Sequence, residues 1–389
     1  MDLATSRCYA QVDLEAIAEN RRILREGIPN SSRLMYILKA DAYGHGAVPV
    51  ANYLEADARE DWIGVACLSE ALELRRAGIT REILILGFTP PEFAATLAEQ
   101  NVTQALVSPD YVAQLSQEAQ RAGVQVPCHM AVDTGMTRIG YLYGVGDPAQ
   151  ELEAVAAAYR TPGLRITGIF THFSSAYSLA QEDVEFTRLQ YERFAAVCQG
   201  LREMGIDPGL RHCCNSPGTV NLPDYAMDMC RVGTVLYGLL PATAMAESRP
   251  FVPAMTWKAR VALVKQVQPG AYVSYNRTFQ VQEPMRLAVI TAGDADGYFK
   301  LLSGGLGRVK IRGQVCPVVG RVCMDMMMVD VTHCPQVQAM DEVILLGGRG
   351  EDNVPCEWLF RPLSPLGPSA ITCSVRGRVP RLYSPSVNR

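Results

Sequence analysis

The sequence predicts a (β/α)8 TIM-like barrel followed by a second, mostly antiparallel β domain, and three observations carry that prediction. Short apolar runs alternate with amphipathic helical segments as far as Tyr237, a stretch of small residues and prolines interrupts at 241–255, and beyond it the helical period gives way to strand-like runs separated by turns. The corresponding domain limits are 1–243 and 244–389. A chain of 389 residues suits this division, since a barrel absorbs about 250 residues as one domain. An open doubly wound sheet is the runner-up for the first part.

The expected barrel strands are 35–40, 62–67, 82–87, 104–108, 127–133, 165–173, 211–216 and 229–238. Helical patterns fall between them at 69–77, 109–122, 148–159 and 181–204. In the second part, "TWKARVALVKQVQPG", "MRLAVITAGDADGYF" and "GRVCMDMMMVDVT" read as strands of an antiparallel sheet.

Composition removes several function classes. A net charge of -4 with no basic stripe argues against a nucleic-acid partner. The first residues lack a secretory signal and no apolar run approaches the ~20 residues of a membrane span, so a cytoplasmic location with no membrane partner is expected. The twelve cysteines include no CxxC pair and fall mostly in apolar runs, as buried thiols do; no metal site is expected.

Chemistry in a barrel gathers at the C-terminal ends of the strands. There the sequence delivers Lys39 in "YILKADAYGHGA", Arg138 in "DTGMTRIGY", His172 in "FTHF", Asn215 and Ser216 in "NSPGTV", and Arg231 in "RVGT". A lysine after three apolar residues is partly desolvated, which lowers its pKa and frees the amine as a nucleophile or base. The plainer reading is a lysine that snorkels past a strand end. A Schiff base with a carbonyl or with pyridoxal phosphate is the natural use, and Ser216 with the turn glycines offers a phosphate cradle. Glycine and serine after a strand are otherwise ordinary loop residues.

The motifs "LKADAYGHGA", "DTGMTRIG", "THFSSA", "NSPGTV", "RVGTVLYG", "SYNRTF" and "GRVCMDMMMVDVT" resemble, in order and approximate spacing, the bacterial alanine racemases, fold-type III pyridoxal-phosphate enzymes. The resemblance covers nearly the whole chain. It implies a homodimer with shared active sites and pyridoxal 5'-phosphate as cofactor. It further implies that Lys39 holds the cofactor and serves as one base, with Tyr275 of the second subunit as the other. Two bases on opposite faces of Cα are what racemisation demands.

Carried over position by position, Arg231 would donate to the pyridine nitrogen and His172 would bond to Arg231. Tyr43, Asn215, Ser216, Gly233 and Thr234 would bind the cofactor, chiefly at its phosphate, and Arg138 would face the substrate carboxylate. Met324 and Asp325 would cap that carboxylate from the second subunit. Read without the resemblance, His172 is a core histidine, Tyr43 a packing aromatic, Arg138 a solvated cation and the Met324 run a buried strand. Asp41 and His45 receive no role.

Three positions depart from the family pattern. Ala131 stands where many members carry a lysine that becomes carbamylated and steadies the arginine, so Arg138 must be held by another group, by a chloride or water, or less firmly. Asp294 and Ser369 stand where tyrosines line the substrate-binding region. A wider, more anionic entrance would admit serine or a basic amino acid such as lysine, whereas refilling by neighbours keeps alanine as substrate. Two other classes compete: a barrel decarboxylase, which needs an acidic partner for the pyridine nitrogen, and a non-catalytic pyridoxal-phosphate carrier, which needs no second base.

Overall fold

A computed structural model describes residues 6–55, 61–240 and 250–385. The domain limit expected between 243 and 244 lies outside the described residues. Eight parallel strands run in the order Met229–Val232, Arg33–Ile37, Trp62–Val65, Ile83–Ile85, Val102–Leu106, Val126–Asp133, Leu164–Phe170 and Leu210–His212. The ring closes through Asp228 N to Arg211 O at 3.0 Å and Arg231 N to Cys214 O at 2.9 Å.

Local chemistry sets the helix limits. Pro109–Ala122 begins at Ser108, whose hydroxyl accepts from Tyr111 N, and stops at Gly123 in the left-handed conformation. Pro148–Tyr159 is capped in the same way by Asp147. Helices Leu14–Glu26, Pro109–Ala122 and Gln181–Glu203 turn leucine, isoleucine, valine and phenylalanine faces onto the strands. Of the twelve cysteines, all are free and eight are buried. No helix among the described residues is long and apolar enough to cross a membrane.

The second unit is built on one long strand, Met255–Val267, which pairs antiparallel with Glu342–Leu346 and Met285–Ile290. Those edges are joined through Met327–Asp330, Gln314–Val319 and Arg308–Ile311, which closes the sheet on itself. The early strand Cys8–Asp13 also belongs here, antiparallel to Met255–Val267 and parallel to Arg381–Ser384. The sequence pattern did not signal that placement.

One local feature controls what happens at the mouth of the barrel. The reading that carries the first strand to residue 40 overshoots: the strand ends at Ile37, and Ala40, Asp41, Ala42 and Tyr43 all have φ between 52° and 54°. A left-handed turn of four residues without glycine costs about 1–2 kcal/mol per residue, so its surroundings must hold it. Asp41 Oδ1 accepts from Ala47 N at 2.7 Å, capping the helix Ala47–Glu55. His45 is buried, directs Nδ1 at Ala42 O at 2.9 Å and stacks on Tyr237 at 4.5 Å. Asp41 and His45 thus have structural roles.

The helix Pro368–Ser374 of the second unit closes over this turn. A Cβ at Gly44, where φ is +84°, would stand 2.2 Å from Thr372 O. Gly44→Ala is expected to destabilise the protein by about 2–4 kcal/mol through strain and overlap together, and a denaturant titration beside the wild type measures it.

Candidate active site

A cleft of about 180 Å³ at the C-terminal mouth of the barrel is lined by Lys39, Tyr43, Arg138, His172, Asn215, Ser216, Arg231, Gly233 and Thr234, with Ile37, Leu86 and Pro217 as apolar wall. Nine candidate residues drawn from five separate stretches of chain are thereby brought together. Tyr275, Met324, Asp325, Asp294 and Ser369 are not among the lining residues; they belong to the second unit.

Lys39 stands at the start of the left-handed turn, its amine 5.9 Å from the Tyr43 ring centroid. Burial holds its pKa below the ordinary lysine value and the Arg138 cation pushes the same way, while Glu70 and Cys373 oppose them. Burial raises the Tyr43 phenol, which keeps it a neutral donor.

Arg231 is almost fully buried. Its NH1 donates to His212 O at 2.8 Å and reaches His212 Nδ1 at 3.0 Å. NH2 donates to Thr171 O at 2.7 Å and Cys213 O at 3.1 Å, and His172 Nδ1 lies 3.4 Å away. Burial lowers its pKa to about 10, still high enough to keep the guanidinium charged at neutral pH. Among the described residues it forms no ion pair with a carboxylate, and its Nε has no hydrogen-bond partner. A buried cationic donor on the wall of a cleft is suited to a ligand's neutral acceptor nitrogen.

Sequence reasoning missed His212 and His129. Because the Arg231 guanidinium only donates, His212 Nδ1 accepts from it, which puts the proton on Nε2 and directs it to His129 Nδ1 at 2.9 Å. Both rings are neutral: burial and the Arg231 charge hold His212 well below its ordinary pKa and His129 at about 3. The available signal was the position of His212 in a strand three residues before Asn215. His172 also has a depressed pKa, from burial first and then from the cations Arg231, Arg138 and Lys39.

On the opposite wall, Ser216 Oγ accepts from Gly233 N at 2.8 Å. A Cβ at Gly233 would lie 2.8 Å from the Tyr43 hydroxyl, so glycine lets the three groups converge. Asn215 caps the helix Ser216–Asn221 through Gly218 N at 3.1 Å and donates to Phe173 O at 3.0 Å. The set fits pyridoxal phosphate: an amine below its usual pKa, an unpartnered cationic N–H, and a cradle of hydroxyl and glycine amide that a Cβ would block.

Ala131 is buried with Ala105 and Phe170. A void of about 20 Å³ next to it has Arg138 in its wall. The Arg138 backbone N donates to Asp133 Oδ2 at 3.0 Å, but its guanidinium makes no hydrogen bond or ion pair with the described residues. The arginine is available to a carboxylate from outside the protein.

Asp294, Met324 and Asp325 of the second unit meet at one loop junction. Asp294 N donates to Cys323 O and Ala295 N to Met324 O at 3.0 and 2.9 Å, and Asp325 pairs with Arg378 at 2.7 Å. Buried Asp296 anchors both Arg7 and Arg378, at 2.9 and 2.7 Å. Asp294 lies 3.5 Å from Lys300 Nζ, so its charge is matched within the chain. Tyr275 and Met324 are 63% and 51% exposed. Ser369 is on Pro368–Ser374, the helix that covers the Lys39 turn.

Known proteins share this architecture. Residues 12–241 match the family described as alanine racemase, N-terminal domain, and residues 254–383 match alanine racemase, C-terminal domain. The chain is 41% identical over 378 residues to the alanine racemase of Desulfovibrio desulfuricans, covering 96% of this chain and 97% of that one. It is 37% identical to that of Clostridium perfringens, covering 98% and 97%. Among solved structures, alanine racemase from D-cycloserine-producing Streptomyces lavendulae superposes with a TM-score of 0.89 at 33% identity, covering 98% of each chain. The Clostridium difficile 630 alanine racemase gives 0.88 at 30% identity, covering 97% of this chain and 96% of that one.

Proposed function

From the premise that this chain belongs to the alanine racemase family of amino-acid isomerases, we propose that its barrel cleft binds pyridoxal 5'-phosphate and interconverts L- and D-alanine by a two-base route. The observation that carries the reading is the desolvated amine of Lys39 sharing one cleft with a buried arginine that pairs with no carboxylate among the described residues. Membership of a racemase family sets aside the carrier and decarboxylase alternatives.

Bound there, pyridoxal phosphate would supply an electron sink for the charge left when Cα loses its proton. Lys39 would attach the cofactor and move a proton on one face of Cα. Arg231 would donate to the pyridine nitrogen without protonating it, which keeps the ring a weak sink and limits side reactions. His212 and His172 would orient that guanidinium. Tyr43, Ser216, Gly233 and Thr234 would hold the phosphate, with Asn215 fixing the turn behind them. Arg138 would take the substrate carboxylate.

The opposite face of Cα needs a second base, and the titratable side chains beside Lys39 suit it poorly, since His172 is held well below its ordinary pKa and the Tyr43 phenol is raised by burial. Tyr275 of a second copy would fill it, with Met324 and Asp325 of that copy closing on the carboxylate; the exposure of Tyr275 and Met324 supports a homodimer with shared sites. Alanine is favoured over a basic substrate because Asp294 is already paired with Lys300. Serine remains the alternative, through the missing aromatic ring at Ser369.

Chiral analysis after incubating the loaded protein with each enantiomer of alanine, serine and lysine tests this reading, with D-alanine expected to form fastest from its L-form. Tyr275→Phe is expected to slow abstraction from one alanine enantiomer at least ~10-fold more than from the other. Equal losses of Cα-hydrogen exchange for the two enantiomers would remove Tyr275 as one of two bases.

A further inference from the structure

Glu70 is absent from the cleft lining, yet it touches the peptide that aims Lys39. It lies in the first turn of the helix Leu68–Arg76, just after the second barrel strand. Its Oε1 accepts from Ala40 N at 2.8 Å and its Oε2 from Ala66 N at 2.7 Å. One carboxylate therefore bridges the ends of two neighbouring strands. Ala40 is the first left-handed residue after Lys39, and its backbone N–H is the one Glu70 accepts from. Glu70 thus holds the N–H side of the peptide between Lys39 and Ala40.

The same carboxylate carries charge to a place where the other neighbours do not favour a cation. Around the Lys39 amine stand Arg138 after its strand, neutral His172, the Tyr43 ring, and Cys373 on Pro368–Ser374. Glu70 is the carboxylate that acts on the amine, opposing burial and Arg138.

We propose that Glu70 is the positioning residue of Lys39: its carboxylate fixes the strand-to-turn peptide that aims the amine, and its negative charge favours the amine's cationic form. The proposal rests on the reading that Lys39 carries the cofactor. Glu70→Gln keeps the size but removes the charge and one of the two acceptors, whereas Glu70→Asp keeps the charge and shortens the reach.

The test compares the loaded wild type with both variants for kcat, KM, thermal midpoint and the pH at which the visible cofactor absorbance titrates. Glu70→Gln is expected to lower kcat on the order of ten- to a hundredfold, to change KM less than about threefold, and to move the titration to lower pH. Glu70→Asp is expected to restore the titration while kcat stays reduced. A Glu70→Gln protein that loses only thermal stability, with kcat and titration as in the wild type, overturns the proposal. Absence of cofactor absorbance in the wild type would instead overturn the assignment of Lys39 itself.

Discussion

Lys39→Ala is expected to abolish the visible absorbance of the cofactor-loaded protein and to reduce alanine racemisation on the order of 10^4-fold or more. Lys39 is the single amine among the residues that line the cleft, so no neighbour can take over attachment or proton transfer. The fold should survive. Burial depresses the pKa of Lys39 and the Arg138 cation pushes the same way, so the folded state disfavours its charge, and removing it relieves a cost at neutral pH. The expected result is thus an inactive protein whose thermal midpoint is not below that of the cofactor-free wild type. Retained racemisation, or loss of activity accompanied by unfolding, would contradict this account of the site.

Acid is expected to weaken the fold well before its carboxylates protonate. His45, His129 and His212 are completely buried, and burial holds His45 at about 4, His129 at about 3 and His212 well below its ordinary value of 6.5. Their folded pKa values lie under the unfolded value, so the unfolded chain binds protons first as pH falls. Stability is fully present above 6.5 and declines from there toward about 4, by about 1.4 kcal/mol per pH unit for each histidine. The low carboxyl of Asp61, held there mainly by Arg25 and Tyr36 against burial, loses its partners only below its ordinary 3.8. Urea midpoints through the histidine window measure the slope, and a flat profile would mean that these rings are protonated inside the fold.

Much of the barrel was legible because its signals are local. The helix expected over 109–122 is Pro109–Ala122, since serine, proline and glycine mark its ends chemically. The cleft residues were legible for a related reason: a barrel collects its strand ends at one mouth, so Lys39, Arg138, His172, Asn215, Ser216 and Arg231 converge once the strands are ordered. The left-handed turn was not legible, because alanine, aspartate and tyrosine give no warning of positive φ and the energy that holds them comes from Asp41, Glu70 and a helix about 330 residues away. Strand eight, expected to reach 238, ends at Val232 because the 3-10 turn Thr234–Tyr237 brings Tyr237 to Ile37 O at 2.9 Å. Glu70 and His212 act through other residues, and such roles have no pattern in a single sequence.

The strand Cys8–Asp13 lies between Met255–Val267 and Arg381–Ser384, so the first described strand of the chain waits for two partners that are synthesised much later. Before then both of its edges are open to unintended pairing. Its sheet is consequently a late assembly of high contact order, whereas the barrel strands find neighbours close in sequence. The two units are therefore not interchangeable modules: severing the chain near residue 250 would remove a strand from the interior of the second sheet and leave the long Met255–Val267 strand with an exposed seam.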